Sequence, residues 1–149
     1  MSTPISSPSR PSQLPGNYPH PQVRLAVRFL LLPASNGDAE GSRSHSLSFE
    51  HLLLRVGRLS RRPRHEKEWS QELDSYDVIF LEIKNDTDIA YCHELRRLSL
   101  KPLFLYGRNI PVTTWIHGLQ SGADAYLELP TSEELLHAKL RAVLRRTQL

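Results

Sequence analysis

His117-Gly-Leu-Gln-Ser-Gly-Ala-Asp-Ala-Tyr-Leu-Glu-Leu-Pro130, continued by Thr131-Ser-Glu-Glu134, is the stretch whose reading decides the fold. Val112 to Ser121 has helical period through Trp115, Ile116 and Leu119, and Gly122 is its expected C-terminal stop. Ala125-Tyr-Leu127 then reads as a short strand. Thr131-Ser-Glu-Glu134 has the form of a capping box, in which a hydroxyl and a carboxylate satisfy backbone N–H groups at a helix start. Leu135, Leu136, Leu140, Val143 and Leu144 are the expected inner face of that last helix. Helix, short strand and helix follow one another within 35 residues, the rhythm of an α/β layer structure.

The same alternation extends toward the N-terminus. Pro102-Leu-Phe-Leu-Tyr106 reads as a strand closed by Gly107, and Asp88–Leu98 as an amphipathic helix with Ile89, Cys92 and Leu95 on its apolar stripe. Tyr76-Asp-Val-Ile-Phe-Leu81 reads as a buried strand, and Glu68–Ser75 as a short helix using Trp69 and Leu73. Arg58 to Lys67 carries five basic residues and one acid, Glu66, around Pro63, which leaves room for a short edge strand only. Helical period returns from about Ser48 in Phe49, Leu52, Leu53 and Val56, ending at Gly57. Val23–Leu32 alternates and then runs apolar, as a strand covered on both faces does. The pattern predicts a doubly wound α/β domain: a parallel five-stranded sheet between helices, in three layers.

Six of the 11 prolines fall in the first 21 residues, interleaved with serines. Such a segment buries too little apolar surface to offset its ordering entropy, so residues 1–22 are expected to be a tail and 23–149 the domain. At 149 residues there is room for one domain of ordinary size. No apolar run approaches the length needed to cross a bilayer, and no basic-then-apolar leader opens the chain. The single cysteine, Cys92, excludes an internal disulfide and an all-cysteine metal site, consistent with a reducing cytoplasm.

Two stretches resemble one family. Tyr76-Asp-Val-Ile-Phe-Leu-Glu82 resembles the third strand of response-regulator receiver domains, which ends in the phosphoacceptor aspartate. The run from His117 to Pro130 is similar to the receiver segment around the fifth strand, and Thr131 to Arg146 to the receivers' fifth helix. The similarity is greatest to receivers that precede winged-helix DNA-binding domains. The fold the resemblance implies is the flavodoxin-like receiver fold.

It also implies a chemistry whose residues this sequence lacks. Receiver phosphoryl transfer uses an acidic pair after the first strand to hold Mg²⁺, an aspartate nucleophile, a Thr or Ser after the fourth strand, and a lysine before the proline after the fifth. Those groups neutralise and clamp the transferring phosphoryl. Here the first strand ends Leu32-Pro33-Ala34, with Asp38 and Glu40 some residues further on. The nucleophile position is Glu82, the hydroxyl position Tyr106 and the lysine position Leu129. A glutamate carboxylate reaches one methylene too far, and an error of about 1 Å can cost about a hundredfold in rate. Phosphoryl transfer at Glu82 is therefore not expected. Glu82 is either a mimic of the phosphorylated aspartate or an ordinary polar residue in a dead pocket. A bulky Tyr106 would fill the space into which the receiver's switch aromatic, here Tyr126, turns, and so hold one state.

Three functional classes follow. A binding module is the first. In similar receivers the fourth helix, fifth strand and fifth helix form the dimer or partner face, here including Trp115, Ala125, Tyr126, His137, Lys139, Arg141 and Arg145. A protein partner or a second copy would use it. The second is nucleic-acid binding, through a strip of Arg24, Arg28, Arg58, Arg61, Arg62, Arg64 and Lys67, although no recognition helix or aromatic signature accompanies it. A solvated loop is the plainer reading of that charge. The third, an enzyme, lacks a nucleophile elbow, a Gly-rich phosphate loop and an HExxH motif, and the seven histidines have no metal spacing. No cofactor, metal, membrane or small-molecule substrate is expected.

Overall fold

The computed structural model describes residues 26–34 and 40–147, with side chains left undescribed at 40–47, 67 and 147. The elements are β1 (Arg28–Leu32), α1 (Glu40–Val56), β2 (Arg58–Arg61), a 3₁₀ segment (Lys67–Ser75), β3 (Val78–Glu82), a 3₁₀ turn (Asp86–Asp88), α2 (Ile89–Leu98), β4 (Leu103–Gly107), α3 (Val112–Gln120), β5 (Ala125–Glu128) and α4 (Glu133–Thr147). The five strands form one sheet in the order β2-β1-β3-β4-β5, every neighbouring pair parallel.

Alternation along each strand divides the core between two faces. Phe29 and Leu31 join Phe49, Leu53, Phe80, Phe104, Tyr106, Leu136 and Leu140 on the face covered by α1 and α4. Leu30 and Leu32 join Trp69, Leu73, Ile79, Leu81, Ile89, Cys92, Leu95, Leu105 and Trp115 under the 3₁₀ segment, α2 and α3. Because both faces are covered, β1, β3 and β4 read as continuous apolar runs rather than alternating ones. The α/β reading and its three layers match this architecture.

Several boundaries differ from the sequence reading. β1 begins at Arg28, five residues after Val23, and residues 1–25, which include the expected tail, lie outside the described residues. β3 begins at Val78 rather than Tyr76; just before it Asp77 holds Arg28 twice, its N–H donating to the Arg28 carbonyl and its carboxylate accepting the Arg28 N–H, each at 2.8 Å. α1 begins at Glu40, eight residues before Ser48; the polar stretch 40–47 carries no apolar period by which the sequence could announce it. The short helix around Trp69 is 3₁₀, and both Trp69 and Leu73 are buried. At the start of α4 it is Ser132, not Thr131, whose hydroxyl accepts the Leu135 N–H, so the cap sits one residue later than the capping box predicts. The Thr131 hydroxyl is buried without a hydrogen-bond partner among the described residues. Leu135 is consequently turned outward, 46% exposed, while Leu136, Leu140 and Val143 form the inner face.

The junction after α3 shows why its glycine is needed. Gly122 has φ +117°, a conformation side chains rarely adopt, and a Cβ there would lie 2.7 Å from the Arg96 side chain. Arg96 binds the Gly122, Ser99 and Lys101 carbonyls and the Asp124 carboxylate, tying the ends of α2 and α3 to the start of β4.

Candidate functional site

Parallel α/β sheets place their chemistry at the carboxyl ends of the strands. Here that end gathers Glu82, Tyr106 and Leu127 in one register row, with Glu82 opposite Tyr106 and Tyr106 opposite Leu127. Glu82 Oε1 accepts the Ala34 N–H at 2.7 Å, so its carboxylate ties the segment after β1 to the end of β3. Burial pushes the Glu82 carboxyl above its ordinary range, while the Ala34 N–H, Lys84 and Arg64 pull it back.

Tyr106 is fully buried, its ring 4.8 Å from that of Phe49. Its hydroxyl has no hydrogen-bond partner among the described residues. Burial, reinforced by Glu82 and Glu50, holds that phenol well above its ordinary pKa. Leu129 is 7% exposed and its N–H donates to the Gly107 carbonyl at 2.7 Å. Leu129 and Tyr106 are thus both buried at this end of the sheet. Tyr106→Phe is expected to raise stability by about 1 kcal/mol, since it removes a buried hydroxyl that has lost water and gained no partner. Urea unfolding checks it; a loss of stability would mean that the hydroxyl is bonded after all.

The sequence reading missed Arg64. It lies between β2 and the 3₁₀ segment, in the stretch read as a solvated basic loop, yet it is 7% exposed. One guanidinium nitrogen donates to the Asp88 carboxylate at 2.6 Å and the other to the Glu82 carbonyl at 2.9 Å. The plane lies 4.5 Å from the Tyr91 ring centre, and the indole N–H of Trp69 holds the Arg64 carbonyl at 3.3 Å. Asp88 also accepts the Lys84 and Asn85 N–H groups at 2.6 and 3.2 Å. The only advance signal was the acid at the start of α2.

The rest of the basic strip is dispersed. Arg62 forms a two-pronged pair with Glu72, Arg61 lies 3.4 Å from Glu50, and Arg28 lies over the Tyr76 ring. Arg58 is exposed, Arg24 falls outside the described residues and the Lys67 side chain is not described. Arg64 is turned inward, so the described part of the strip loses one of its charges to the interior.

The expected partner face also divides. Trp115 is only 2% exposed: it is core, not surface, because its ring stacks at 4.6 Å and 13° on Tyr126 and its N–H reaches Glu128 at 3.3 Å. The Lys139 ammonium lies 4.9 Å from the other partner in the stack, the Tyr126 ring, and donates to the Tyr126 carbonyl. Burial lowers the Lys139 pKa. Glu128 also accepts the Asn109 N–H at 2.6 Å, steadying the turn before α3 where Asn109 takes φ +55°. At about 100° per residue along α4, His137, Arg141 and Arg145 lie on the flank away from Lys139. His137 sits 3.9 Å from Glu133, which Arg55 of α1 contacts at 3.2 Å. Arg141 and Arg145 are exposed and Ala125 is half-buried. What α3 does expose is Val112 at 67% together with Ile116 at 47% and Leu119 at 38%, the last two counted in the helical period by the sequence reading.

Cys92 is buried, its thiol pushed up by burial and 3.6 Å from the Gly118 carbonyl. Among the described residues there is no group of three or more His, Cys, Asp or Glu side chains able to hold a metal ion, and no helix long and apolar enough to cross a membrane.

No protein-family model matches the chain. It is 40% identical over 73 residues to the probable transcriptional regulator ycf27 of Guillardia theta, covering 48% of this chain and 29% of that protein. It is 37% identical over 101 residues to the uncharacterized transcriptional regulatory protein YrkP of Bacillus subtilis, covering 65% and 43%. The chain thus spans less than half the length of these relatives. A two-component response regulator from Clostridium difficile superposes with a TM-score of 0.60 at 25% identity, over 83% of this chain and 99% of that one. A response regulator receiver domain protein from Clostridium thermocellum superposes with a TM-score of 0.66 at 15% identity, over 83% and 98%, a likeness of fold. The described residues thus have the flavodoxin-like receiver fold of response regulators, and the chain is similar in sequence to proteins named as transcriptional regulators.

Proposed function

We propose that this receiver domain works in two-component signalling without accepting a phosphoryl group, by binding a protein partner or a second copy of itself. The observation that carries the reading is the state of the strand ends. The Glu82 carboxylate is engaged with the Ala34 N–H, and Tyr106 and Leu129 fill the positions that would clamp a phosphoryl group. That bond holds one Glu82 oxygen and fixes the carboxylate's direction, and no lysine would meet the charge that develops on attack. The Trp115–Tyr126–Lys139 stack favours a single state of Tyr126.

The partner face we propose is the exposed stripe Val112, Ile116 and Leu119 of α3, with Ala125, Tyr126 and Lys139 beside it. Exposed apolar side chains on one helix face are the composition an interface core uses. His137, Arg141 and Arg145 lie on the other flank of α4 and are left out of it. The relatives are named as transcriptional regulators, and control of transcription is the output we propose for the protein in which this module works.

Incubation of the full chain with acetyl phosphate and Mg²⁺, read by intact mass, is expected to give no phosphoryl adduct; an adduct on Glu82 overturns the phosphorylation-free reading. Ile116→Glu is expected to weaken self-association, or capture of the partner, by tenfold or more, as a charge forced into an apolar interface core does (about 1.4 kcal/mol or above). Sedimentation equilibrium and pull-down measure it, and unchanged association of a folded variant would move the interface elsewhere.

A further inference from the structure

The fold's phosphoryl chemistry calls for a divalent cation, and the described residues at the strand ends do not fit one; Asp38 and the Glu40 side chain lie outside the described part. The segment after β1 offers Leu32-Pro33-Ala34, of which Leu32 and Pro33 are buried. Glu82 is engaged with the Ala34 N–H, and both Asp88 oxygens are taken, one by Arg64 and the other by two backbone N–H groups. What stands among these groups is the guanidinium of Arg64. It is more than nine-tenths buried, bonded to the main-chain oxygen of Glu82 and to Asp88, and its Nε has no partner among the described residues. A guanidinium keeps its charge at every physiological pH, and charge is buried at such cost that it is rarely placed where a neutral group would serve.

We infer that Arg64 is the built-in counter-ion of this site, supplying from the β2–β3 connection the positive charge that a divalent cation would otherwise bring, so that the domain takes up no divalent cation at the end of β3. The inference rests on the reading of this site as free of phosphoryl transfer and adds the reason its acids stay neutralised. It also gives the basic stretch a role: Pro63 and Trp69 bracket Arg64, and the Trp69 N–H fixes its carbonyl, so the side chain is delivered inward.

A purely structural clamp and a counter-ion make different predictions once the charge is removed. Mn²⁺ binding by the full chain is followed through loss of the free-ion paramagnetic resonance signal. Wild type is expected to leave the Mn²⁺ signal unchanged. Arg64→Gln, which frees the Asp88 carboxylate, is expected to remove that signal saturably, and adding Asp88→Asn to restore it. Arg64→Lys, which keeps the charge, is expected to behave as wild type. Saturable Mn²⁺ binding by wild type that Asp88→Asn abolishes overturns the inference, as does a folded Arg64→Gln chain that binds none. Where Arg64→Gln does not fold unaided, refolding is titrated with Mn²⁺: recovery of the near-ultraviolet circular dichroism supports the counter-ion, and no recovery at millimolar ion overturns it. Mn²⁺ bound by wild type without a phosphoryl adduct sinks this inference alone, whereas an adduct on Glu82 sinks the reading beneath it.

Discussion

Asp88→Ala is expected to lower the stability of the domain by about 3 to 5 kcal/mol, the range found when one partner of a buried ion pair is removed. Both side chains of the Arg64–Asp88 pair are 8% exposed, so the guanidinium left behind has little access to water. Two further donors lose their acceptor, the Lys84 and Asn85 N–H groups at the start of the 3₁₀ turn. Each buried donor left unmatched adds to the penalty. The loss should show as a fall in the urea midpoint with the slope retained, and Asp88→Asn should lose less, because its amide oxygen still accepts one set of these bonds. A loss below about 1 kcal/mol for the alanine variant would mean that Arg64 escapes to solvent and is not a buried charge at all.

Trp115→Ala is expected to cost a comparable 3 to 5 kcal/mol, the usual penalty for truncating a large buried aromatic side chain. The reason lies in what the indole touches. It is 2% exposed within the core beneath α2 and α3, stacked on Tyr126 and bonded to Glu128. Trp115→Phe keeps a ring for Tyr126 to stack on but loses the N–H, and a smaller loss of about 1 to 2 kcal/mol is expected. The pair of variants also tests what holds Tyr126. In the alanine variant the Tyr126 ring loses its stacking partner and keeps Lys139 beside it, so its near-ultraviolet dichroism should fall markedly. Retention of the Tyr126 signal in a folded Trp115→Ala chain would show that the stack does not hold it. If Trp115 were instead a surface contact, its removal would leave stability nearly unchanged.

Much of the fold was legible along the chain because strands buried on both faces must be written as apolar runs. Phe29–Leu32, Val78–Leu81 and Leu103–Leu105 could be little else, and the helical stripes of Ile89, Cys92 and Leu95 lie where their period predicts. The boundaries were legible only where a local device marks them, as Gly57 and Gly122 do. The first eight residues of α1 are helical without an apolar period, and the cap of α4 chose Ser132 over a Thr131 of nearly equal competence, which turned Leu135 to solvent. Such one-residue choices depend on packing against the sheet, which local sequence does not encode.

At the site the division is sharper. The sequence by itself determined which side chains are available there: Leu32-Pro33-Ala34 after β1, a glutamate at 82, a tyrosine at 106 and a leucine at 129, since folding cannot change the residue at a position. Only the tertiary structure decided what gathers around them. Arg64 and Asp88 are 24 residues apart, and nothing in the basic run around Pro63 distinguishes an arginine bound for solvent from one bound for the interior. Burying a guanidinium is favourable only where a carboxylate and a carbonyl already wait for it, and those are brought together by the parallel pairing of the strands and the turn that follows β3.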